Sequence, residues 1–189
     1  MTNENRTKCS LDSALRTLLA KKPLDQIRVR EVTDLCAIRR QSFYYHFPDV
    51  YALYDWSLER ESAALCRLQE DCLTWQQALG TLLGHMTEQQ PYYLALLELR
   101  GQEGLARVLD PALDRLLAET VDYYRRRCGV PAEEDPAGPV YWKTVLLALL
   151  EGWLRGGLAQ PPEELIRRLE VSVQRETLGA AWQNMARWA

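Results

Sequence analysis

The sequence predicts an all-α protein, and three observations carry that prediction. Leu and Ala dominate its apolar residues, whereas Ile is scarce and Phe occurs only twice, a balance that favours helices over strands. Apolar residues recur at three- and four-residue spacing along most of the chain. No stretch of any length alternates apolar and polar residues at the period of two that a half-buried strand requires.

The elements follow in order. Leu11, Ala14, Leu15, Leu18 and Leu19 predict a first helix over about 7–22, which Pro23 ends. Leu24 and Ile27 then pack as the chain turns back. A short helix is expected over about 29–36, with Val29, Val32, Leu35 and Cys36 on its inner face. The break falls at Cys36 to Ile38, and a third helix covers Arg40 to His46. Pro48 stops that helix and is expected to open the next, since proline suits a first turn. A long helix follows over about 49–73, then helices over 75–89, 92–99 and 105–128. The stretch GVPAEEDPAGP, Gly129 to Pro139, reads as a loop. Helices over about 140–156 and 163–182 close the chain. The last begins with PPEE, placing proline and two acids where the helix dipole favours them.

Charge divides unevenly. Residues 1–50 hold nine Lys/Arg and six Asp/Glu, whereas the remainder holds fourteen and twenty. A basic head on an acidic body suggests two tasks in two parts. Five scattered cysteines without a CxxC pair, and only two histidines, argue against a zinc site or a secreted disulfide framework. They fit free thiols in a reducing cytosol, and a cytoplasmic location is expected. The polar opening MTNENRTK does not read as a signal peptide. The apolar run around Val145 to Leu150 is too short to span a membrane. No glycine-rich phosphate loop and no nucleophile with an adjacent base occur, so neither enzymatic activity nor a cofactor or metal is expected.

Both phenylalanines lie in RRQSFYYHFPDV, Arg39 to Val50. Phe43 and Phe47 stand one helical turn apart and share an inward face. Two short helices joined by a tight turn, the second polar and basic outside, describe a helix-turn-helix. A major groove admits one helix, which needs apolar anchors behind, polar side chains in front and donors at its flanks. The phenylalanines supply the anchors. Arg39, Arg40, Gln41 and Ser42 can reach bases, and Tyr44, Tyr45 and His46 can hold phosphates. An ordinary amphipathic helix with a solvated face has the same composition.

The order of residues separates these readings. The text LDQIRVREVTDLCAIRRQSFYYHFPDVYALYDW, Leu24 to Trp56, resembles the TetR family of transcriptional regulators. The match rests on Ile27, Val29, Glu31 and Val32, then on Arg40, Ser42, Phe43, Tyr44, His46 and Phe47. The FYYHF motif followed by Asp49, Tyr51, Leu53 and Trp56 is similar to a branch of regulators associated with dihydroxyacetone kinase. The resemblance implies a homodimer that binds a double-stranded, palindromic DNA operator as a repressor, with a helix-turn-helix domain over 1–50 and a helical effector-binding and dimerisation domain over 51–189. Arg28 would then sit near phosphate. The chain departs from the pattern at Ala37, where the turn usually has glycine, at Arg28, where threonine often caps the second helix, and at Val50, where lysine is common.

The 140–156 helix is apolar over most of its circumference, with Lys143, Glu151 and Arg155 in one stripe. One neighbouring helix cannot bury so wide a face. It lies either in a monomer core or partly against a second copy. The resemblance favours the second, with an interface of Trp142, Leu146, Leu149, Leu150, Trp153, Leu165 and Leu169. It also suggests a small apolar or aromatic effector among Trp75, His85, Met86, Tyr92, Tyr93, Tyr123 and Tyr124, although aromatics at helical spacing are commonly core. The competing function is a helical interaction protein of the same fold that binds a protein partner with little DNA binding.

Overall fold

The computed structural model describes residues 3–98, 103–128 and 138–172, with only the backbone described at 3, 103, 121–128, 138 and 139. Among the described residues every regular element is helical. They are α1 (Asn3–Leu19), a 3-10 turn (Leu24–Gln26), α2 (Val29–Leu35), α3 (Arg40–His46), α4 (Val50–Leu68), α5 (Trp75–Glu88), α6 (Gln90–Glu98), α7 (Glu103–Cys128), α8 (Gly138–Arg155) and α9 (162–172). The expected loop at 129–137, and the extension of the last helix beyond 172, lie outside the described residues.

The chain forms two compact units, residues 1–64 with 89–109, and residues 65–88 with 110–189. The first unit thus reaches well past residue 50, because α1 packs against α6 as well as α2. Its core takes Leu11, Leu15 and Leu19 from α1, Val32 from α2, Phe43 from α3 and Leu53 and Leu58 from α4, with Phe47 just beyond α3; all are buried. Each such side chain contributes roughly 1.5–3 kcal/mol by leaving water.

A charged cluster is buried inside this apolar frame. Asp12 of α1 accepts from Arg16 at 3.2 Å and also from Arg60 of α4. Arg16 reaches Glu61 at 2.7 Å and lies 4.0 Å from the centre of the Tyr92 ring. The Tyr93 hydroxyl donates to Glu61 at 2.8 Å, and Tyr92 shares a hydrogen with Ser57 at 3.3 Å. Buried charges persist only when paired and hydrogen-bonded, and here two buried carboxylates meet the half-buried Arg16 and Arg60, which reaches in from the surface.

Local chemistry sets the helix ends. Asp49 caps α4, its side chain accepting from the Ala52 N–H at 2.8 Å. Pro48 therefore stands before the cap, not in the first turn. The inner face of α2 also differs from expectation. Leu35 is 56% exposed, while Thr33 is buried. The Thr33 hydroxyl donates to the Arg30 carbonyl at 2.9 Å, which removes the cost of burying it unpaired.

In the second unit α5 buries Trp75, Ala78, Leu79, Leu82, Leu83 and Met86 along one stripe. Gly80 of α5 faces Ile166 of α9, so a β-carbon there would meet it at ordinary contact distance, 3.5 Å. Gln76 donates to Glu170 at 3.1 Å across the same pair of helices. Pro111 lies inside α7 and removes one backbone donor from it. A Schellman turn ends α8. Gly157, at φ 66°, donates to the Leu154 carbonyl, and Leu158 donates to that of Trp153. Residue 162 opens α9 with Glu163 and Glu164 in its first turn.

Candidate nucleic-acid interface

The recognition segment is built from the turn outward. After α2 the Ala37 N–H donates to the Asp34 carbonyl at 3.3 Å and the Ile38 N–H to that of Thr33 at 3.1 Å. That pair of bonds is a Schellman cap, which places its penultimate residue in the left-handed region. Ala37 occupies it at φ 53°. The chain then leaves α2 sharply enough for α3 to begin three residues later.

Two rings fix α3 against its unit. Phe43 is fully buried and Phe47 is 5% exposed, their centres 6.1 Å apart. Phe47 meets Trp56 of α4 edge-on at 5.8 Å. With those rings inward, Arg39, Arg40, Gln41, Ser42, Tyr44 and Tyr45 are all exposed. Tyr45 keeps 77% of its surface. His46 is half-buried, stacked edge-on against Tyr45 at 4.9 Å, and its Nδ1 is buried without a hydrogen-bond partner. A shallow groove of about 410 Å³ runs beside α3 and includes Arg39, Gln41, Ser42, Tyr45 and His46.

The same groove includes Thr7 of α1, and the neighbouring Lys8 lies 6.0 Å from the Phe47 ring centre. Sequence reasoning did not find these two. They stand more than thirty positions away from α3, and only the packing of the three helices brings them beside it.

Arg28 stands at the N-cap of α2 and is exposed. It has no acceptor atom to return a capping bond, so only half a capping box forms, the Glu31 carboxylate accepting from the Arg28 N–H at 3.0 Å. Glu31 also pairs with Lys22 at 2.7 Å. The Lys22 hydrogen bond first, and the Arg28 N–H second, hold its carboxyl below the usual carboxylate range.

Residues 73–175, more than half of the chain, match the model of the TetR-type transcriptional regulator C-terminal region. The chain belongs to the TetR family of transcriptional regulators. Regulators of this family bind DNA and usually dimerise. A curated relative, the HTH-type dhaKLM operon transcriptional activator DhaS of Lactococcus lactis, is 32% identical over 80 residues, 42% of this chain and 43% of that protein. The match thus spans less than half of the relative's length. Among solved structures, the dihydroxyacetone kinase operon activator DhaS superposes with a TM-score of 0.69 at 19% identity, over 90% of this chain and 96% of that one. A TetR regulator from Streptococcus agalactiae gives 0.62 at 22%, over 87% and 92%. One from Streptomyces coelicolor gives 0.62 at 19%, over 98% and 90%. At these identities the structures establish the fold, a helix-turn-helix followed by a helical domain.

Within that TetR fold, the residues expected to form an effector site are not brought together in one unit. Trp75, His85 and Met86 belong to the second unit, Tyr92 and Tyr93 to the first. Tyr92 and Tyr93 are 3% and 0% exposed, and their hydroxyls bond to Ser57 and Glu61. Both hydroxyls thus join the buried charged cluster. The side chains of Tyr123 and Tyr124 lie outside the described residues.

The expected dimer face divides in the same way. Leu146, Leu150, Trp153, Leu165 and Leu169 are already buried within a single chain. The Trp153 indole donates to the Gln160 carbonyl at 2.8 Å, so it closes the α8–α9 turn. Trp142 and Leu149 remain half-buried. Tyr141, Thr144, Ala148 and Gly152 form an exposed stripe one turn apart along α8.

Proposed function

We propose that this regulator binds a palindromic operator as a homodimer, with α3 in the major groove. Arg39, Arg40, Gln41 and Ser42 face the bases. Tyr44, Tyr45, His46 and Arg28 hold phosphates, joined by Thr7 at the groove edge. The observation that carries the reading is the division of α3, with two phenylalanine rings buried and every longer polar side chain from Arg39 to Tyr45 exposed. A helix so anchored can enter a groove of about 12 Å without losing its own packing.

The exposed stripe of α8, with Trp142 and Leu149, supplies the surface for the second copy. Two copies must present their recognition helices one DNA turn apart, roughly 34–36 Å. The domain division consistent with this role is a head over 1–50 that reads DNA and a body over 51–189 that dimerises and responds to an effector.

The regulatory reading is a repressor released by a small molecule that prefers the non-binding conformation. A second reading, activation, is favoured by the name of the DhaS relative, a transcriptional activator. Transcription in vitro from the promoter beside the gene, with and without the protein, separates the two.

Arg40→Ala tests the groove assignment. It should weaken operator binding by about 1–3 kcal/mol while leaving binding to random duplex nearly unchanged. An equal loss on both sequences would move Arg40 to the phosphate backbone. No operator binding by the unaltered protein would sink the proposal and leave the protein-partner reading.

A further inference from the structure

A cleft of about 360 Å³ opens in the first unit, away from α3. Its volume is within the usual range for small-ligand sites. The floor is Leu24 and Leu58, both buried. The walls are two phenol rings, Tyr51 and Tyr54, one helical turn apart on the same side of α4. Among the described residues, the rim carries Asp25, Asp55 and Glu98 against one cation, Arg107.

Those charges are not equivalent. Arg107 is already engaged by Asp55 at 2.8 Å. Asp25 and Glu98 are exposed carboxylates, so the described residues leave a net negative rim after their internal pair is made. Gly104 shapes the interior, because a β-carbon there would lie 2.7 Å from the Tyr54 hydroxyl. The absence of a side chain lets that ring enter the cleft. Burial pushes the Tyr54 phenol up to about 12, so it is a neutral hydrogen-bonding group at physiological pH.

We infer that this cleft binds a small organic cation with an aromatic or compact apolar body. The apolar part would lie on Leu24 and Leu58 between the two rings. The cationic group would sit at the carboxylate rim and over a tyrosine face, whose quadrupole attracts positive charge. An anion would meet Asp25 and Glu98, and a neutral ligand would forgo both attractions. The site uses none of the residues assigned to DNA, so it stands or falls separately from the operator reading.

Equilibrium dialysis of the full chain, without DNA, tests it with 2-phenylethylammonium as the probe and 2-phenylethanol and 3-phenylpropanoate as controls. The cation should bind saturably with one site per chain, the alcohol more weakly and the carboxylate not at all. The pair Asp25→Asn with Glu98→Gln should weaken the cation about tenfold, as expected for losing charge attraction at a partly exposed site. Both positions are exposed, so its thermal midpoint should stay unchanged. Tyr54→Phe provides a second variant and should weaken binding without altering the charge. Absence of saturable binding, equal binding of the carboxylate, or an affinity unchanged in the double variant would each overturn the assignment.

Discussion

Ala37 is the residue with the sharpest consequence. The Schellman cap between α2 and α3 requires a left-handed residue, and alanine at φ 53° fills it. The β-carbon then crowds the following carbonyl, at roughly 1–2 kcal/mol. Ala37→Gly removes the crowding but gives the unfolded chain more freedom. The net expectation is stabilisation by up to about 1 kcal/mol, read as a higher urea midpoint with unchanged slope. A midpoint that falls would mean that the turn is not strained. The departure from glycine was visible in the sequence, and its backbone angle now gives it a physical meaning. Leu35 and Thr33 were not legible in this way. On a seven-residue helix a small rotation exchanges neighbouring positions between core and surface, and the packing against α1 selects that rotation.

At the scale of elements, α2 depends on an end built from a single carboxylate. Glu31 accepts from Lys22 and from the Arg28 N–H, and both bonds depress its pKa. A depressed carboxylate stabilises the folded chain above its unfolded pKa, near 4.5, and loses that contribution as pH falls through the lower folded value. Glu31→Gln should therefore be less stable than the parent at neutral pH, and the difference should close in the acid range below that value. Thermal midpoints followed from neutral to acid pH check this; a gap that stays constant would show that Glu31 does not act through its charge. The helix itself was legible, since Ile27, Val29 and Val32 mark its start. The pairing of Glu31 with a lysine nine positions earlier required the turn at Pro23 to Gln26.

At the scale of the molecule, the basic excess of the first fifty residues matters more than the net charge of −3. If α3 and its flanks hold phosphates, log affinity for the operator should fall linearly with log salt, by about 0.9 for each phosphate neutralised. A flat response in the same titration would remove the phosphate contacts. Assembly has its own test on the exposed stripe of α8. Ala148 is solvent-exposed within one chain, so Ala148→Arg should leave the fold intact. It should shift sedimentation from dimer to monomer and weaken operator binding together with it. A dimer that persists would place the interface elsewhere. The sequence marked α8 as too apolar for one neighbour, and the structure divides that surface between an inner row ending at Trp153 and an outer row at Tyr141, Thr144, Ala148 and Gly152.

By itself the sequence determined the helical class, the order of the elements and the two rings that anchor α3. These depend on local spacing, and local spacing survives in one dimension. Only the tertiary structure decided that Tyr92 and Tyr93 belong to a buried charged cluster, that Thr7 stands beside α3, and that Tyr54 shares a cleft with Arg107. Each of these joins residues from distant helices. Their meeting is set by how helix faces pack, which no window along the chain contains.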